Sequence, residues 1–216
     1  MGYFARLNYA YDERYLLEVS LRRNGSSRFI GDKRWATFPS FSLGWNIANE
    51  AFFAPLKQHV SMLKLRGSWG TLGNTEVRAL YPWFLAQPVG TANSQWVLNG
   101  ERQNTSNSPG LVSSSLTWER IESWNLGLDF GAFNNRLQGQ LDYFNRTTRD
   151  MVGPPAPKPF TIGAGLPQVN NATLVSKGWE AELRWRDNIG KVNYGARLVL
   201  SDDIQTVTEY NNPTGS

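Results

Sequence analysis

Acid–base, nucleophilic and metal chemistry need side chains that this chain holds sparingly. It has one histidine, His59, and no cysteine, so a His relay, a thiolate nucleophile and a Cys/His metal site lack their raw material. The signatures GxSxG, HExxH, GxGxxG and the P-loop are absent. Two carboxylate pairs remain. Glu180 and Glu182 alternate onto one strand face, where two acids could serve glycoside hydrolysis. Arg184 and Arg186 share that face, and a self-compensating charged wall accounts for all four. Asp202 and Asp203 could help to hold a cation but read better as a polar strand end. No enzyme, metal site or cofactor is expected.

The other chemistry on offer is recognition. Trp83, Phe84 and Trp96 stand among Asn, Gln and Ser, which suits the capture of a sugar or peptide, with rings on its apolar side and amides on its polar groups. The same rings could instead build the small core that a long ordered loop needs. The run GPPAPKPF at 153–160 reads as a stiffened surface loop, or as a short polyproline segment that recruits a partner. Sequons at Asn24, Asn104, Asn145 and Asn171 arise easily in an Asn-rich chain and carry no argument. Lys and Arg are scattered and the formal net charge is only +4, so no nucleic-acid surface is expected.

What positions these residues is alternation of period two, the pattern of a strand with one apolar and one polar face. It is clearest from 40 to 46 within RWATFPSFSLGWNIANEAFF (34–53), and in 179–186, where Trp179, Ala181, Leu183 and Trp185 interleave with Glu180, Glu182, Arg184 and Arg186. About eight antiparallel strands are expected, at 2–11, 15–23, within 34–53, and at 62–69, 119–131, 136–151, 179–186 and 192–201. Connections alternate in length. Those at 12–14, 132–135 and 187–190 are short and 46–60 is intermediate, whereas 24–34, 70–116 and 153–176 are long. Short turns on one rim and long loops on the other are the arrangement of an outer-membrane β-barrel.

No run of eighteen apolar residues suggests a transmembrane helix, and the first residues carry no basic-then-apolar signal pattern. Aromatics are 13% of the chain, with nine tryptophans, against 19% charged residues. The barrel reading has one geometric difficulty. Trp179 and Trp185 are six residues apart, roughly 15 Å of membrane depth on a strand tilted by about 40°, short of an apolar band of ~25 Å. One of the two then lies inside the band, or the strand is longer than its alternation. The competing architecture is a soluble β-sandwich or lectin-like module holding glycan through Trp83 and Trp96. A third is a small barrel that eight strands close alone.

Six stretches, GSSRF (25–29), RWATFPSFSLGWNIANEAFF (34–53), LKLRGSWGTLGN (63–74), LTWERIESWNLGLDFG (116–131), NRLQGQLDYFNRTTRDM (135–151) and KGWEAELRW (177–185), together resemble the SusC/RagA family of TonB-linked (TonB-dependent) outer membrane receptors. They fall in the family's order over about residues 2–205. The resemblance implies an all-β fold, an antiparallel up-and-down transmembrane barrel of 22 strands around a plug, of which this chain is a slice from the later part. It also implies import of glycans or peptides across the bacterial outer membrane. The implied partners are outer-membrane lipid, a SusD-like surface lipoprotein over the barrel, and the TonB complex acting through an N-terminal part. The family's signal peptide, regulatory-like domain, TonB box, plug, early strands and final strand are not found in this sequence.

On this reading Glu18, Asn125, Gln138, Glu180, Glu182, Arg184 and Arg197 are expected to face the lumen. Leu17, Phe41, Trp45, Leu126, Leu141, Leu183 and Leu198 are expected to face lipid. Asn46 opens a periplasmic turn, with Phe52 and Phe53 near the inner membrane interface.

Overall fold

Each alternating stretch is a strand in the computed structural model, which describes residues 1–75, 81–91, 96–106 and 108–210. The long strands are β1 (Gly2–Tyr11), β2 (Tyr15–Gly25), β3 (Trp35–Asn46), β4 (Val60–Asn74), β5 (Glu119–Ala132), β6 (Leu137–Gly153), β7 (Val169–Ile189) and β8 (Val192–Tyr210). They pair with their chain neighbours, antiparallel throughout, into one eight-stranded sheet. β1 and β8 do not meet, so the sheet is open. That overturns closure of eight strands into a barrel of their own. No second layer of long strands covers the sheet among the described residues, as a sandwich would require.

The connections sort by end. Turns at 12–14, 133–136 and 190–191, with the 47–59 connection, lie at one end; the long loops at 26–34, 75–118 and 154–168 lie at the other. The tight turns use left-handed backbone: Asp12 and Glu13 have φ of 49° and 51°, and Phe133, Asn134 and Asn135 have 53°, 57° and 64°. A phenylalanine is disfavoured there. Phe133 is held by an N–H bond of 3.0 Å to the carbonyl of His59 and by its ring, 6.4 Å from that of Trp185.

Several strands outrun their alternation. β7 starts at Val169 and β8 runs to Tyr210, ten residues before and nine after the ends expected. In these extensions backbone pairing continues where side chains no longer divide into faces. Thr173 donates to Glu209 at 2.9 Å, and the Asn170 side chain spans the Thr117 backbone. The 75–118 connection is likewise not structureless. It carries two ladders of two-residue strands, 89–90 with 105–106 and 97–98 with 101–102. At the same end Phe29, Ala36, Phe38, Leu116 and Trp118 make a small buried core. The Trp118 indole N–H donates to the Lys33 carbonyl at 2.9 Å.

Register divides the sheet into two faces, because directly paired residues point the same way and successive ones alternate. One row of the apolar face reads Leu17, Leu43, Gly67, Leu126, Tyr143, Trp179 and Asp202 from β2 to β8. On β2 the first charge above this row is Arg23, six residues beyond Leu17, whereas on β8 the row has already reached Asp202. The lower edge moves equally. Tyr15 lies two residues below the row on β2, and Tyr194 eight below it on β8.

The apolar band therefore runs obliquely to the hydrogen-bond rows. A shift of about 20 Å across six strand spacings, about 29 Å, corresponds to a strand tilt of about 35°, within the range of membrane barrels. The depth agrees. Tyr15 to Arg23 and Tyr194 to Asp202 are each eight residues, about 26 Å of strand and about 22 Å of depth at that tilt.

Candidate functional site

The functional surfaces of this chain are its two sheet faces and its long loops. On the polar face, Glu18 stands in a row with Asn8, Ser42, Ser68 and Asn125. Gln138 pairs with Arg184 and Arg184 with Arg197. Glu180 and Glu182 alternate along β7 on the same side. All seven residues expected on one face share it by register. Leu17, Phe41, Trp45, Leu126, Leu141, Leu183 and Leu198 share the other. Leu16, Phe144 and Val199 are apolar residues on the polar face, so the division is not complete. Asp202 and Asp203 fall on opposite faces in mid-strand, which removes both the cation site and the strand end read from them.

The polar face is organised by Arg66. Its guanidinium donates to Asp129 through Nε at 2.9 Å and Nη2 at 2.8 Å, and to both oxygens of Asp142 at 3.1 Å. Asp142 is two strands away, and the residue between, paired with both, is Gly127. A Cβ there would stand 2.7 Å from Arg66 Nη2 and 2.5 Å from Asp142 Oδ1. The missing side chain is the channel through which the guanidinium reaches across β5. Gln140 adds a bond of 2.8 Å to Asp142, and Glu182 accepts two from Arg197 at 2.7 and 2.8 Å. Beside this network Asn8, Glu18, Ser42, Lys64, Arg66 and Asn125 line a depression of about 520 Å³. This arrangement offers alternating charge and amides to a polar neighbour. Among the described residues no cluster of His, Cys, Asp or Glu is suited to a metal ion.

Aromatic rings border the apolar face. Toward the long loops lie Tyr3 and Trp35, stacked at 6.0 Å, then Trp69, Trp124 and Trp179. The Trp69 indole donates to Glu122 at 2.9 Å. Toward the short turns, Tyr15 and Trp45 both donate to Glu50, at 2.7 and 3.0 Å. The Tyr15 hydroxyl, then the Trp45 indole, then the charge of Arg14 hold the Glu50 carboxyl below its ordinary value. Trp185 lies four residues inside the end of β7, so the longer strand removes the difficulty posed by its spacing from Trp179. Phe52 and Phe53 differ: Phe53 is buried in the 47–59 connection and Phe52 is exposed.

In the loops, Trp83 and Phe84 meet edge-to-face at 6.2 Å, and the half-buried Trp83 donates to the Ser27 carbonyl at 3.3 Å, tying one loop to another. Phe84 and Trp96 are exposed, Trp96 at the start of the 97–102 ladder. The Arg66–Asp142 bridge and the glycine beneath it are joined by register, which residue types alone did not reveal.

A substitution test isolates that bridge. In a full-length receptor carrying this segment, Gly127→Ala is expected to lower barrel stability by about 1–3 kcal/mol, the range for a charge-assisted hydrogen bond. The melting temperature of the folded species on semi-native gels reads this out. Asp142→Asn should add little to Gly127→Ala, because the contact is already lost. Fully additive effects would contradict the bridge.

With the geometry in view, the chain matches the family model described as TonB dependent receptor-like, beta-barrel, over residues 1–216. It is 32% identical over 218 residues to the TonB-dependent receptor SusC of Bacteroides thetaiotaomicron, covering 98% of this chain and 20% of that protein. The TonB-dependent receptor P26 of Formosa agariphila is 32% identical over 210 residues, covering 96% and 20%. The RagAB peptide importer in its open-open state superposes with a TM-score of 0.82 at 28% identity, over 97% of this chain and 22% of that one. The chain thus spans about a fifth of the length of the curated relatives it matches. It belongs to the TonB-dependent receptor β-barrel family, of the SusC/RagA type, whose barrels lie in the bacterial outer membrane.

Proposed function

We propose that this segment forms part of the wall and the outward loops of a TonB-dependent receptor that imports glycans or peptides across the outer membrane. The observation that carries the reading is the oblique apolar band. Its two edges shift together by six residues between β2 and β8, as the edges of a hydrocarbon layer must when tilted strands cross it. Leu17, Phe41, Trp45, Leu126, Leu141, Leu183 and Leu198 then face lipid. Glu18, Asn125, Gln138, Glu180, Glu182, Arg184 and Arg197 face the lumen, where charges remain hydrated or pair with one another.

Partners follow from the same membership. A SusD-like surface lipoprotein would stand over the loop end, and the TonB complex would act through a part of the receptor outside this segment. The importer RagAB handles peptide, which favours peptide over glycan to that extent. The exposure of Phe84 and Trp96 at the loop end supports a role for these rings in meeting such a ligand, with Trp83 tying the loop that bears Phe84 to its neighbour.

Two experiments on a full-length receptor test this. Single cysteines at Leu126, Leu141 and Leu183 should react with a bilayer-soluble maleimide several-fold faster than cysteines at Asn125, Gln138 and Glu182. Protection of the leucine positions would sink the wall assignment. Separately, Phe84→Ala with Trp96→Ala should weaken binding of the transported ligand about tenfold, the expected loss for two aromatic contacts, with gel mobility of the folded barrel unchanged. Unchanged affinity would remove these rings from the ligand site.

A further inference from the structure

The upper edge of the apolar face carries a like-charge pair in register that its neighbours relieve on one side only. Arg120 on β5 stands directly opposite Arg149 on β6. Both are exposed, and both share the parity of Trp124, Leu126 and Leu141. Like charges directly opposite on a sheet are destabilising. The polar face shows how such a contact is relieved: Arg184 faces Arg197, and Glu182 takes Arg197 through two short bonds.

At the edge that relief reaches one arginine of the two. Glu122 accepts the Trp69 indole through Oε1 at 2.9 Å and pairs with Arg149 through Oε2 at 3.9 Å. Glu119, adjacent to Arg120, belongs to the polar face and is occupied by the Asn74 side chain at 2.7 Å and the Val152 N–H at 2.8 Å. Among the described residues Arg120 has no carboxylate within ion-pair range. Two arginines paired in register can bring both guanidiniums to the oxygens of one phosphate group, each donating in a fixed fork.

Their height names the source. Trp124 marks the edge of the band on β5, and Arg120 is four residues further out, about 10 Å of depth. Arginine side chains bend back several ångströms to place the cation at headgroup level. The site lies at the long-loop end, which the proposed function puts on the outer leaflet. We infer that Arg120 and Arg149 together clamp a phosphate of the phosphorylated glycolipid of that leaflet. The inference rests on the reading that this face meets lipid.

The test uses the full-length receptor in phosphatidylcholine nanodiscs doped with phosphorylated lipid A or with its dephosphorylated form. Bound lipid A is measured by native mass spectrometry. The wild type should prefer the phosphorylated form, and Arg120→Gln with Arg149→Gln should lose about tenfold of that preference, each cation near a charged surface contributing several-fold. Lys191→Gln, on the opposite rim, should leave it unchanged. A preference retained by the double variant, or equal binding of both lipids by the wild type, overturns the inference. So does a double variant that keeps its lipid preference but loses a co-purifying surface lipoprotein, since the arginines would then belong to a protein contact. A bimane on Trp124→Cys separates this from the underlying reading. Quenching by brominated lipid with no phosphate preference defeats only the clamp; absence of quenching defeats the assignment of the face to lipid.

Discussion

Hydrocarbon offers a strand no hydrogen-bond partner, and the rest of this structure follows from that constraint. Each backbone N–H and C=O inside the membrane must be taken by a neighbouring strand. Antiparallel pairing between consecutive strands does this with the shortest connections, and the sheet from Gly2 to Tyr210 is built in that way. The outer rows of β1 and β8 have no partner among the described residues. In a membrane those edges require further strands, as a segment covering about a fifth of its relatives would receive from the remainder of the barrel.

With the backbone committed to its ladders, side chains alone distinguish the two surroundings, and period two divides most of them. The apolar face needs only bulk and a ring at each edge. The polar face must hold charges without stranding any of them. Arg66 shows the device, one guanidinium shared by Asp129 and Asp142 across a glycine that exists as a gap. Glu182 and Arg197 form a second compensated pair. The more exposed Glu182–Arg197 pair fixes the wall more than it stabilises it, since exposed ion pairs contribute little.

Alternation made the strands of the membrane band legible in the sequence, and Trp179 to Arg186 announced both faces of β7 before any pairing was known. The extensions at 169–178 and 202–210 were not legible, because there apolar residues such as Leu174, Val175, Ile204 and Val207 no longer keep to one face and hydrogen bonding to a neighbour keeps the chain extended. The short ladders in the 75–118 loop were hidden similarly by two-residue strands too brief for a period. Glu180 and Glu182 read as part of a charged wall, and they stand in one. Asp202 and Asp203 were misread, since a strand end was inferred where alternation merely lapsed. Register was the missing quantity throughout: it alone brings Arg66 to Asp142 and sets Arg120 against Arg149.

The central claim is that the apolar band of this sheet faces hydrocarbon and its charged face a wet lumen. A nitroxide scan along β6, residues 137–144, in the reconstituted full-length receptor tests it most directly. Collision with oxygen should peak at 137, 139, 141 and 143, and collision with a water-soluble nickel chelate at 138, 140, 142 and 144, in strict antiphase. Accessibility without a two-residue period, or with the phases exchanged, would contradict the account.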